Sequence, residues 1–205
     1  MANRLSQLRP YSYTDLVLLL AAAGASGAQF VTCSGFWFGF LIFLEWVHQD
    51  EKRARWPWWA WALPWLAAVG YVHSLSVVPF LVLSFLYAQK KKVPAVALSS
   101  PALNGALKAT LLLVVPTVSL ELALGVWAAT GVRNLFGDFR DVVKDREQDV
   151  QTIPVRLGLK RDIKWLYPAA LGATTLAWVL AGPLPWWTVF VAWFVEWGTY
   201  RLTPR

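Results

Sequence analysis

The sequence has little of several residue types that carry chemistry elsewhere. It holds one cysteine, one methionine and two histidines among 205 residues. A single cysteine, Cys33, excludes an internal disulfide and a cysteine-based metal centre. His48 and His73 are separated by an apolar hairpin that puts them on opposite sides of a membrane, so a shared histidine site is not expected. Charged residues make up only 15% of the chain, against about 25% in soluble domains. That is too few to cover a water-facing surface. There is no glycine-rich phosphate loop, no strand-like alternation, no low-complexity tract and no clear repeat. Ser99-Ser100 has no partnering His and Asp and reads as a loop. With these absences a secreted disulfide scaffold, a disordered chain and a soluble enzyme are all poor fits.

What is abundant is apolar. Hydrophobic residues reach 57%, mean hydropathy is +0.45, and there are 14 Trp, a residue that gathers at membrane–water interfaces. The composition predicts an all-α, polytopic membrane bundle. Basic residues outnumber acidic ones by 19 to 12, a net charge of +7, and the positive-inside bias accounts for this without nucleic acid.

Basic residues fall in five blocks: Arg4 and Arg9; Lys52 to Arg55; Lys90 to Lys92 with Lys108; Arg133 to Lys164; Arg201 and Arg205. Between them lie apolar stretches, each with one turn-like point, at Cys33-Ser34-Gly35, Gly70 to Ser74, Pro116 to Ser119 and Gly182 to Pro185. If each stretch is a hairpin, all basic blocks share one side. This predicts about eight transmembrane helices, near 12–32, 35–49, 57–70, 74–88, 104–117, 119–134, 163–181 and 184–201. Both termini and an Asp-rich loop over 133–162 are expected on the cytoplasmic side of the cell membrane, in a single domain over 1–205. Several spans fall short of the roughly 20 residues a straight crossing prefers. Joining 57–88 into one tilted helix would set Lys90–Lys92 opposite Arg53, against the charge rule. Residues 23–28, Ala-Gly-Ala-Ser-Gly-Ala, resemble a signal-cleavage site, but cleavage there would break the same parity. Glu45, Glu121 and Glu196 lie in or beside apolar segments, where acids are costly and often functional.

The informative segment runs from Arg133 to Gly158. Asp138, Asp141, Asp145 and Asp149 fall at about 0°, 300°, 340° and 20° on a continuous helix, one face about 80° wide. Like charges at this spacing repel, and a hard divalent cation with oxygen ligands is the natural offset. Magnesium takes one or two carboxylates, keeps waters, and gives its remaining positions to phosphates. At a membrane surface this suggests a diphosphate head in water with an apolar tail in the bilayer.

With this pattern the sequence resembles the UbiA superfamily of intramembrane prenyltransferases. Asp138, Asp141 and Asp145 match its second aspartate-rich motif, D-x-x-D-x-x-x-D, and Thr152-Ile153-Pro154-Val155 with Gly158 match the tail. Asp149 departs, standing where the family usually has Gly. Tyr87-Ala-Gln-Lys90-Lys91 fits the family's Y-x-x-x-K element through Tyr87 and Lys91, and Asn104 fits an Asn at the start of the next helix. The first aspartate-rich motif is reduced to Glu45, Gln49-Asp50 and Glu51, with Arg53 where an aspartate belongs. Eight spans are one fewer than the family's usual nine.

The resemblance implies a magnesium-dependent transfer of a polyprenyl group from a prenyl diphosphate to an aromatic or lipid acceptor. It implies metal ligands at Asp138, Asp141 and Asp145, aided by Asp50 and Glu51. It implies substrate contacts from Tyr87, Lys91, Arg146, Arg53 and Asn104, with Asp141, Asp145 and Lys91 central to catalysis. The reduced first motif leaves a second expectation, a non-catalytic protein that binds prenyl lipids or assists assembly.

Overall fold

The computed structural model describes residues 8–48, 56–70 and 77–202. The expected sites Asp50, Glu51 and Arg53, and also His73, lie outside the described residues. Among the described residues the chain is all helical, with ten helices and no strand. These are α1 (Pro10–Ala22), α2 (Gly27–Val47), α3 (Trp59–Val69), α4 (Val77–Ala88), α5 (Pro94–Leu112), α6 (Leu120–Arg140), α7 (Val142–Glu147), α8 (Ile153–Arg156), α9 (Leu166–Ala181) and α10 (Thr188–Leu202). Eight of them correspond in order to the expected spans, and α7 and α8 are short pieces in the Asp-rich segment. By length and hydropathy, α2 alone among the described residues is sufficient to cross a membrane; α3, α4 and α9 are apolar but shorter.

The chain forms two compact units. One contains α1, α2, α3, α10 and the second half of α9. Its first turn lies ten residues before the one read from the sequence. Gly24 takes a left-handed φ of 69°, and Ser26 then opens α2 with a capping box closed by Gln29. Cys33, Ser34 and Gly35 are inside the helix. Gly35 lets α3 approach, since a Cβ there would lie 3.2 Å from Ala68 Cβ. A Cβ on Gly39 would overlap the indole of Trp65, whose Nε1 donates to Phe36 O at 2.9 Å. Small residues that look like a turn are packing residues. On the other side of α2, Arg9 reaches Glu45 at 3.1 Å, and Trp178 Nε1 donates to buried Asp15 at 2.7 Å. Glu196 is buried and accepts from Thr175 Oγ1. The indole and hydroxyl donors supply hydrogen bonds to Asp15 Oδ1 and Glu196 Oε2, as buried carboxylates require.

The second unit contains α4 to α8 and the first half of α9. Pro94 sits in the first turn of α5, where its missing N–H costs nothing. The helix therefore starts ten residues earlier than expected. This corrects three readings at once: Ser99-Ser100 is helix rather than loop, Asn104 is mid-helix, and Lys108 is fully buried rather than in an aqueous loop. Ser119 caps α6 by accepting from Leu122 N at 3.2 Å. Glu121 is exposed in the first turn of α6, where the helix dipole favours an acid. Helices α5 and α6 touch most closely where Gly105 meets the backbone of Trp127.

Large apolar side chains are exposed in helical stripes. On α4 they are Val78, Val82, Phe85 and Leu86, and on α6 Leu120, Leu124 and Trp127. Spacings of three and four place each set on one face. Patches of this kind mark a surface that faces lipid or another chain.

Candidate functional site

Helix α6 outruns its apolar portion, and its last turns carry Asn134 and Asp138, four residues apart and on one face. The end of α4 carries Tyr87 and the turn just after it carries Lys90, three residues on. The two pairs meet as two rungs. Asn134 Nδ2 donates to Tyr87 Oη at 3.1 Å, and Lys90 Nζ donates to Asp138 Oδ1 at 2.6 Å. Ser100 Oγ, from α5, adds a bond to Asp138 Oδ2 at 3.4 Å.

Asp138 is only 3% exposed and lies near the C-terminal end of α6, where the helix dipole opposes negative charge. Burial pushes its carboxyl up from the ordinary range, against the pull of Lys90. Burial alone would lower Lys90, but Asp138, with Tyr87 and Asp145, outweighs it and holds the ammonium above its ordinary value.

The helix then breaks. Asp141 has φ −107° and ψ 19° and belongs to neither α6 nor α7. Arg140 Nε donates to its Oδ1 at 2.8 Å, a second guanidinium nitrogen meets Oδ2, and the guanidinium lies 4.6 Å over the Tyr167 ring. One turn on, Asp145 Oδ2 accepts from Thr152 Oγ1 at 3.1 Å. Thr152 is completely buried and opens α8. Gly158, just past α8, has φ 78°, a left-handed cap that favours glycine. The Thr and the Gly of the sequence tail thus have local physical reasons: the Thr holds the Asp145 carboxylate, and the Gly ends the short helix that the Thr opens.

The four aspartates therefore do not share a continuous helix face. Asp149 follows the end of α7 with φ 54°, is exposed, and accepts from Gln151 Nε2 at 3.0 Å. It caps a turn in the conformation glycine prefers. Asp149→Gly is accordingly expected to leave magnesium affinity within about two-fold and stability equal or higher by up to about 1 kcal/mol. Thermal melts and a magnesium titration of the variant read both.

The other expected contacts are distributed as follows. Tyr87 is buried at the site. Lys91 is exposed, and the lysine that reaches Asp138 is its neighbour Lys90. Arg146 Nη2 donates to Leu159 O at 2.5 Å and closes the loop between α7 and the residues after α8. Asn104 is half-buried in the middle of α5, and Glu45 is engaged by Arg9. Lys90, Ser100 and Asn134 were not singled out from the sequence. The three-residue spacing of Tyr87 and Lys90 and the four-residue spacing of Asn134 and Asp138 were the available signal.

Burial, then the neighbouring Asp138 and Asp141, push the Asp145 carboxyl up to about 6, against the pull of Lys90 and Thr152. Lys90 pairs with Asp138 and Arg140 with Asp141 in this cluster. Among the described residues no group of three or more His, Cys, Asp or Glu is arranged to hold a metal ion. Asp141 lies close enough to raise the Asp145 carboxyl, and paired carboxylates are the donor type a hard cation takes. Comparison of the chain with protein-family models, with curated proteins and with solved structures finds no match.

Proposed function

We propose that this chain is a multi-pass membrane prenyltransferase of the UbiA type. It would move a polyprenyl group from a prenyl diphosphate to an aromatic or lipid acceptor. The observation that carries the reading is the cluster of Asp138, Asp141 and Asp145 at and just past the end of α6, with Lys90 on Asp138 and Arg140 on Asp141, beside helices with exposed apolar stripes. The eight longer helices would serve as eight spans with both termini on one side. Spans this short would require a locally thinned bilayer.

Asp141 and Asp145 would hold magnesium, and Asp138 would join them as a ligand once Lys90 turns to the diphosphate. Magnesium when bound there would neutralise a leaving diphosphate as its allylic C–O bond breaks. The chain's own groups do the rest. Lys90 and Lys91 bring ammonium donors to phosphate oxygens. Thr152 fixes Asp145, and Arg140, pinned on Tyr167, fixes Asp141. Aromatic faces in a dry pocket would stabilise the allylic cation. The alternative of a non-catalytic prenyl-lipid-binding protein draws on the reduced first aspartate-rich motif, with Arg53 where an aspartate belongs.

The test is to supply membranes containing the protein with a panel of prenyl diphosphates and acceptors. Consumption that requires magnesium and stops on chelation supports the enzyme. Magnesium-dependent binding of prenyl diphosphate without turnover supports the alternative.

A pH dependence follows from Asp145. Its folded pKa lies above the ordinary carboxylate value, so the folded protein holds the proton more tightly than the unfolded chain. That contribution to stability is present at acid pH and is lost as pH rises through about 6. Magnesium needs the deprotonated carboxylate. Metal-free protein should therefore melt higher at about pH 5 than at about pH 7, and stabilisation by magnesium should show the opposite trend. Melting curves with and without magnesium at the two pH values check both signs.

A further inference from the structure

The Lys90–Asp138 pair joins the group best suited to an anion to an acid of the proposed metal centre. Lys90 Nζ sits 2.6 Å from Asp138 Oδ1, with the two side chains 17% and 4% exposed. In this arrangement neither group is available to a ligand. A cation approaching Asp138 must displace an ammonium, and an anion approaching Lys90 must displace a carboxylate. Either exchange alone strands a buried charge, which is strongly unfavourable. Both together strand none, because each buried charge gains a new counter-ion as it loses the old one. Asp138 keeps its bond from Ser100 throughout, and Tyr87 and Asn134 hold α4 and α6 in register on the neighbouring rung.

Resting on the prenyl diphosphate reading, we infer that the Lys90–Asp138 ion pair is a partner-exchange latch that admits a divalent cation and a diphosphate together and resists either one alone. The metal-free, substrate-free site is thus closed by the protein's own charges. Magnesium bound without substrate, or diphosphate bound without magnesium, is disfavoured by the same contact.

The experiment uses the full chain in detergent or nanodiscs, with magnesium chloride and inorganic pyrophosphate as probes and calorimetry as readout. Wild type should bind magnesium weakly when it is supplied alone. Lys90→Gln, which removes the ammonium and keeps a hydrogen-bond donor, should bind magnesium alone about ten-fold more tightly. Asp138→Asn should bind pyrophosphate alone, in the presence of chelator, about ten-fold more tightly than wild type. Lys92→Gln controls for the loss of a nearby positive charge: Lys92 is exposed two residues on and should change magnesium affinity less than two-fold. Misfolding cannot produce these gains in affinity. Magnesium affinity that is unchanged or reduced in Lys90→Gln, or raised equally in Lys92→Gln, overturns the latch. If wild type still binds magnesium and pyrophosphate together, the prenyltransferase reading survives that result. No binding of the two together in wild type overturns both.

Discussion

Asp141→Asn should lower magnesium-dependent consumption of prenyl diphosphate by at least about a hundred-fold, because it removes charge at the point where a leaving diphosphate must be neutralised. Asp141 is a sharper choice than Asp138. Its side chain is a quarter exposed, whereas Asp138 is almost wholly enclosed and occupied by Lys90 and Ser100. Asparagine keeps the shape and one carbonyl oxygen and loses the negative charge. Its stability cost should be small. The pairing of Asp141 with Arg140 is partly solvated, Arg140 keeps its place over Tyr167, and exposed pairs contribute about 1 kcal/mol or less. A melting curve close to wild type together with lost turnover would locate the defect in chemistry. Turnover equal to wild type would remove Asp141 from the site.

The second large effect is on folding. Gly105→Ala should destabilise the chain by about 3 kcal/mol, because a Cβ there overlaps the carbonyl oxygen of Trp127. The obstacle is backbone, and backbone cannot rotate away as a side-chain tip can. Helices α5 and α6 would have to move apart, at the place where Trp127 Nε1 also donates to Ala102 O at 3.1 Å. The separation would also carry Ser100 away from Asp138. Gly125, on α6, supplies the comparison, since nothing lies within 4 Å of a Cβ built there. Gly125→Ala should be neutral or stabilise by up to about 1 kcal/mol through helix propensity. Equal melting temperatures for the two variants would contradict this account of the α5–α6 contact.

The helical plan was legible because it depends on long apolar runs and on charges between them, signals that extend over many residues. Turn positions were less legible, because a small residue serves equally for a turn and for a close helix contact. Gly35 and Gly24 look alike in sequence. One packs against α3, and the other takes a positive φ. Lys108 was misplaced because a charge was taken as a marker of water, whereas a partner within the fold can bury one.

At the candidate site, the acids and the Thr-Ile-Pro-Val tail stood out by spacing. The break at Asp141 did not. A periodicity argument assumes an unbroken helix, and the helix stops at Asp141, whose carboxylate is held by Arg140. The identity of the pairing lysine turned on a single position. Lys90 and Lys91 are equivalent by composition, but the first lies three residues after Tyr87, and the structure turns it toward α6. Asp149 counted toward the acidic face in the sequence, and its positive φ, which sets it in a turn, is not written in the spacing.

The central claim is that Asp141 and Asp145 hold a divalent cation which in turn holds a diphosphate. The most direct measurement is equilibrium binding of magnesium, in the presence of a non-reactive prenyl diphosphate analogue, to wild type and to Asp141→Asn/Asp145→Asn. The account predicts saturable binding in wild type that falls by at least about a hundred-fold in the double variant. Equal binding by the two proteins would contradict it.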